Sequence, residues 1–406
     1  TSLVANANAA LNLTTYTVSG GTATLTAGTT FTGTSGTASG NITLDAVSIT
    51  SVGTVTSSAG SIDLDVTAGT LTTGAVTGLT GVVLKSSGNL STGALTSANG
   101  GIHALSTMGS VALASAKAGS SLVANAKTSL ALTTYTVSAG SATLTAGSTF
   151  TGTSGTASGN ITLDAVGISS VGAVTSSAGT VDLEVTGAAL TTGAVSGGAA
   201  VVLKSSGNLG TGALTSLNGS VNTESLTGSV AVTAASAKTG LVAKSGTTLN
   251  MTSFAVSAGA AQVTAGTDFT VGTGTAYGPI TLNMTGIGSL GTLTSTTGAI
   301  SATSSLKGLS FTTLKAGTGI TLRAAANMGL GLNPAFAIIG TNLDAGTGAV
   351  DAQATTGNVQ IGKLVAASAS TVKALSGNLK ITTVTLPATI GLTASATGTR
   401  SLPIGF

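Results

Sequence analysis

The amino-acid sequence predicts an all-β chain: a single parallel β-solenoid of about twenty coils of about twenty residues each, with no helix of consequence. Three observations carry this. A short motif recurs, since GNITLDAVSITSVGTVTSSA from Gly40 is restated as GSIDLDVTAGTLTTGAVTGL from Gly60 and as GVVLKSSGNLSTGALTSANG from Gly81. Within each restatement apolar residues alternate with Thr, Ser or Asp at the period of a strand. The phase of that alternation is also conserved, because Ile42, Ile62, Val82, Ile102 and Leu122 fall at steps of twenty. A five- or six-residue strand, a Gly-marked corner and a second short strand cannot bury an apolar side alone, but identical coils stacked on one another can.

The coils are grouped in a longer repeat. Tyr16 and Tyr135 lie in identical TTYTVS segments, and 135 − 16 = 119. The same spacing relates Phe31 to Phe150 and Phe269, Ile161 to Ile280, and Leu84 to Leu203 and Leu322. The first long repeat therefore occupies residues 1–120, the second 121–239, a diverged third 240–358, and partial terminal coils with a tail 359–406, all expected as one continuous rod. Residues 1–19 read as a complete coil beginning at Leu3, without a helical or strongly polar cap. The second repeat opens at SLVANAK and differs from the first mainly by exchanges among Ser, Thr, Ala and Gly. In the third, Asp45 and Asp164 become Asn283, Asn41 and Asn160 become Pro279, and Lys85 and Lys204 become Arg323. From roughly residue 340 the long register decays while the short one survives, as Asn358 and Asn378 are again twenty apart. Three of the four prolines, Pro334, Pro387 and Pro403, fall in this tail, where loop or edge positions are expected because Pro donates nothing to a ladder. The inward positions are predicted to include Ile42, Leu44, Ile62, Leu64, Leu84, Ile161, Leu163, Leu203, Ile280, Leu282 and Leu322. Phe31, Phe150 and Phe269 read as interior fillers. The dipeptides Gly40–Asn41, Gly88–Asn89, Gly207–Asn208, Gly357–Asn358 and Gly377–Asn378 read as corners, where Gly and Asn reach positive φ cheaply and stacked Asn side chains can form an amide ladder.

Composition narrows the function classes. Charged residues make up 6% and aromatics 2% of the chain, with 60 Gly, which suits narrow coils with small interiors and hydroxylated outer faces. The net charge of +3 comes from 13 basic and 10 acidic residues scattered over the chain, so neither the basic clusters nor the stacking aromatics of a nucleic-acid binder are expected. Mean hydropathy is positive, yet Thr, Ser or Gly interrupts every apolar run short of a membrane-spanning helix. The ten-residue strands and aromatic girdles of a membrane barrel are missing too. There is no Cys, so disulfides play no part. The sequence begins at Thr1 and reads as a mature or trimmed segment of something longer.

Residues capable of chemistry are few. His103, the only histidine, is replaced by Asn222 and Thr341 one and two long repeats on, which argues against catalysis or metal binding. Asp63 and Asp65 lie on the same side of one strand, as do Asp182 and Glu184, and paired carboxylates on a parallel coil suit acid catalysis on polysaccharides or weak calcium binding. The third repeat has Ser301 and Thr303 instead, and the chain has no Trp to form a sugar platform, so these acids are read as solvated surface groups. The Lys85, Lys204, Arg323 series is expected to project into water from equivalent coils. No calcium-binding Gly–Asp nonapeptide, phosphate loop or nucleophile elbow stands out. Accordingly no catalytic, cofactor-binding or metal-binding residue is assigned, no cofactor is expected, and the protein is read as no enzyme.

The period near twenty, the G-[NS]-[IV]-x-[LV] openings and the Ala, Gly, Thr and Ser bias resemble the filamentous haemagglutinin-like exoproteins that Gram-negative bacteria export by two-partner secretion. The resemblance is one of repeat style over nearly the whole chain. The Asn-Pro signatures of that family's N-terminal secretion domain are not found, Asn333–Pro334 lying elsewhere. It implies a right-handed parallel β-helix acting as an adhesin or surface fibre, extracellular or on the cell surface of a Gram-negative bacterium. The leading expectation is thus a secreted structural protein whose copies associate end to end or side by side into a fibre, sheath or matrix. The main alternative is an ice- or glycan-binding adhesin using Thr-x-Thr rows such as Thr22, Thr24, Thr26 and Thr32, Thr34; a polysaccharide-active enzyme is a distant third.

Overall fold

A computed structural model describes residues 1–329 and 335–403 and, at Thr50, the backbone alone. Gly101–Ser106 and Val111–Ala118 illustrate one coil. The first strand alternates strictly, with Ile102, Ala104 and Ser106 turned inward, as expected of a strand with one covered face. The second breaks the alternation at its middle: Val111 and Leu113 are buried, two consecutive residues face out, and Ala116 and Ala118 are buried again. Two adjacent outward residues mean that the backbone bends there. In neighbouring coils this bend separates two three-residue strands, Leu71–Thr73 and Val76–Gly78, and likewise Leu190–Thr192 and Val195–Gly197. Each such coil therefore has three sides: one from the short strand and two from the halves of the long one.

Strands pair in parallel with the equivalent strand about twenty residues away. Ile42 pairs with Ile62, Ile62 with Val82, Val82 with Ile102, and Ile102 with Leu122, so the steps of twenty in the sequence are an aliphatic column in space. All eleven residues predicted to point inward are buried, as are Phe31, Phe150 and Phe269. The fold is thus the expected parallel β-solenoid, with forty strands and about twenty coils among the described residues. Parallel stacking follows from the sequence itself: each coil restates the last in the same direction, so equivalent side chains sit on one another.

The coils form two compact units, one of residues 1–198 with 202–205 and one of residues 199–201 with 206–406. In the first, strands Ala23–Ala38 and Ile42–Ser57 run on through the corners, with an irregular register near Phe31 that places Ile49 against it. In the second, the step lengthens from about twenty residues to thirty between Ile320 and Val350, then returns to twenty between Val359 and Leu379. This long coil is why the sequence register falters near residue 340. Pro279, Pro387 and Pro403 lie outside strands, and Asn333 and Pro334 lie outside the described residues.

Two expectations need correction. The Gly–Asn dipeptides do sit at corners, but among the described residues no residue other than Gly has positive φ, and of those five glycines only Gly357 (φ 100°) and Gly377 (φ 150°) are so recorded. What requires Gly at the other corners is crowding between coils. A Cβ on Gly40 would lie 2.9 Å from the Gly21 carbonyl oxygen, and one on Gly60 would collide with Asn41. Hydroxyl groups are also not confined to the outside, since Ser57, Ser86, Ser106, Ser176 and Ser216 are buried.

Candidate functional site

The short-strand side collects the acids of the first unit, together with Lys85 and Lys204. Asp45, Asp65 and Lys85 stack in register on successive coils, and Asp164, Glu184 and Lys204 repeat the arrangement one long repeat later. Asp63 and Asp182 project from the same strands two residues before Asp65 and Glu184. Outward positions of a strand share a side at every second residue, which is why the sequence pairs the acids correctly.

The cations do not stand free, as expected from sequence, but reach the carboxylate of an adjoining coil. Lys85 lies 3.9 Å from Asp65 and Lys204 3.9 Å from Glu184, while Arg323 contacts the Asp351 carboxylate and donates to its backbone carbonyl at 2.9 Å. All six side chains are a third or more exposed, so each pair contributes little to stability. Burial, ahead of the Asp63 and Asp65 charges, pushes the Asp45 carboxyl above the ordinary range, with Lys85 opposing. Asp164 is raised by burial and then by Glu184; Asp182 is raised chiefly by burial, against the pull of Lys204. Asp63 Oδ1 and Asp182 Oδ1 are covered and accept no hydrogen bond, which accords with the cost of burying a carboxylate. Asp45, Asp164 and Asp182 thus hold their protons more tightly than ordinary carboxyls do. Among the described residues no three His, Asp or Glu side chains are placed to hold a metal ion. His103 stands half-buried between Val83 and Val123 in register, in the same outward column as Asp63 and two coils from it.

The corners are fixed by two devices. Asn41, Asn89 and Asn160 turn their side-chain Oδ1 to the next coil and accept from the backbone N–H of Ser61 (3.0 Å), Ser110 (2.9 Å) and Thr180 (2.9 Å). The amide ladder expected from stacked Asn is replaced by these side-chain-to-backbone bonds, and even Asn358 reaches the backbone N–H of Asn378 (2.8 Å). The second device escaped the sequence reading. Ser57, Ser106 and Ser176 donate to the carbonyls of Gly40, Gly88 and Gly159 in the coil before (2.6–2.7 Å). Each also accepts from the N–H of the glycine three residues on, Gly60, Gly109 or Gly179 (2.8–2.9 Å). The legible signal was Ser-x-x-Gly at coil spacing. With both capacities used, these buried hydroxyls hold backbone in place and are not poised as nucleophiles.

The second unit carries an open depression of about 470 Å³ across five coils, lined by Thr270, Ser289, Ser310, Phe311, Ile339 and Gln360. Its lining is uncharged. No helix of the described residues is long and apolar enough to cross a membrane. No family model matches the chain, and neither the curated proteins nor the solved structures contain a match to it.

Proposed function

We propose that the protein is a non-enzymatic structural component of an extracellular or cell-surface fibre, sheath or matrix of a Gram-negative bacterium, built by association of copies of itself and adhesive in character. The observation that carries this reading is that each coil is completed by an equivalent coil stacked on it in parallel register, as the outermost described coils show by contrast. Leu3, Ala5, Ala7, Leu11 and Leu13 occupy inward columns yet are only half-covered, whereas Ala23, Leu25, Ala27 and Phe31, on which they stack, are buried. Leu392, Ala394 and Ala396 are half-covered in the same way and repeat the Leu-x-Ala-x-Ala spacing of Leu3, Ala5 and Ala7. Such an edge presents a row of backbone donors and acceptors together with apolar steps that a further coil satisfies. That coil can come from the same polypeptide or from a second copy.

The repeat style, which resembles that of haemagglutinin-like exoproteins, and the low charge that leaves little repulsion between neighbours also support the reading. Light scattering and negative-stain imaging of the full chain at physiological salt test it. Ordered assemblies are the expected result; persistent monomers of 38.0 kDa at every concentration overturn the self-association.

A further inference from the structure

The second half of the long strand gives the first unit a side unlike the others. Beyond the bend, where Ala94, Ser115 and Ala173 face out, its outward positions form one column in parallel register, running from Thr17 and Thr37 through Thr96, Lys117 and Thr136 to Thr175 and Ser196. Every position is Thr or Ser except Lys117. Neighbouring hydroxyls touch, Thr37 Oγ1 donating to Thr17 Oγ1 at 3.3 Å and Thr156 to Thr136 at 3.4 Å. All the acids of this unit project instead from the short strands. In the second unit the corresponding column is interrupted by Ala255, Lys315 and Asp344.

Resting on the self-association reading above, we propose that this side of the first unit is a docking surface and that its occupant is the same side of a second copy. Three arguments favour a copy of this chain. The column repeats at the ladder spacing of about 4.8 Å, so only a partner with that same spacing repeats one contact at every coil, and a second copy has it by construction. Threonine hydroxyls cost far less to desolvate than charges, and their methyl groups pack against each other. The size also suffices: nine steps of about 4.8 Å by four residues of about 3.3 Å give roughly 550 Å² per copy, about 1,100 Å² for the pair, just above what a specific interface needs. Lys117 is the single charge this contact must accommodate.

Sedimentation velocity of the full chain at physiological salt tests the proposal, with circular dichroism to verify that each variant keeps its strands. Thr37→Glu with Thr175→Glu places carboxylate against carboxylate whether the two copies run parallel or antiparallel, because the two positions are equidistant from the column's ends. Lys117→Thr removes the one charge. Thr43→Glu with Thr162→Glu adds the same charge to the short-strand side as a control. The expected result is association weakened on the order of tenfold or more by the first pair, strengthened by Lys117→Thr and unmoved by the control. Association that persists equally in the column and control pairs overturns this docking surface and leaves the structural reading standing. A wild-type chain that stays monomeric at all concentrations overturns both. If that monomer retards on immobilised glycan or inhibits ice growth, and the column pair loses the effect, the column serves another ligand and the proposal is likewise overturned.

Discussion

Leu163 and Asp164 are adjacent in sequence and opposite in environment. Leu163 is 1% exposed and lies between Leu144 and Leu183 in its column, so Leu163→Asp buries an unpaired charge in a dry interior and should cost several kcal/mol, on the order of 3–5. Asp164 faces out beside Glu184, and Asp164→Ala should change stability by no more than about 0.5 kcal/mol. Chemical denaturation of both variants checks this; equal losses would show that the two faces are reversed. A pH dependence follows from the raised carboxyls. The fold binds the protons of Asp45, Asp164 and Asp182 more tightly than the unfolded chain does, so their ionisation costs stability. That cost is full at neutral pH, shrinks as pH falls through the raised values, and is gone below the ordinary 3.8. The melting temperature should therefore rise on acidification from pH 7 to about 4, and Asp182→Asn should flatten the rise. A melting temperature that falls monotonically over that window in both proteins would refute the assignment.

At the scale of the element, the corner is the unit that decides whether one coil fits the next. Ser176→Ala removes a hydroxyl that serves both the Gly159 carbonyl and the Gly179 N–H, and should cost about 1–3 kcal/mol although only one oxygen is lost. A thermal melt indistinguishable from wild type would mean that water replaces the hydroxyl. A comparable case is Gly155, where an added Cβ meets the ring of buried Tyr135, whose hydroxyl is held well above its usual range by burial. Gly155→Ala should destabilise strongly, and less so in a Tyr135→Leu background, a non-additivity that a double-mutant cycle measures.

These corners also mark what the sequence could and could not disclose. The columns were legible, because Ile42, Ile62, Val82 and Ile102 share a phase that only parallel stacking satisfies. The buried serines were not, since Ser57 looks like any surface hydroxyl until the Gly40 carbonyl of another coil is brought to it. The glycines were placed correctly, but the torsional reason holds only at Gly357 and Gly377; at Gly40 and Gly60 it is the neighbouring coil that excludes a side chain. Of the charged side, alternation gave the pairing of Asp63 with Asp65. The contact of Lys85 with Asp65 needed the register between coils.

For the molecule as a whole, parallel pairing with a partner about twenty residues away makes stability a sum over neighbouring coils and not the property of one core. Coils covered on both sides should then be protected far longer than edge coils. Amide hydrogen exchange should be slow in Ile161–Ala165 and Val181–Val185, and fast in Leu3–Ala7 and Leu392–Ala396, where the inward residues are half-covered. Uniform protection along the chain would contradict the additive picture. The same independence of coils gives the thirty-residue step between Ile320 and Val350 a further meaning. Ten extra residues leave the columns on both sides aligned, with Ile320 upon Val350 and Leu322 upon Ala352. The columns therefore tolerate a step half as long again as their usual one, and a foreign epitope or small binding peptide spliced into this step should leave the register of the flanking coils intact.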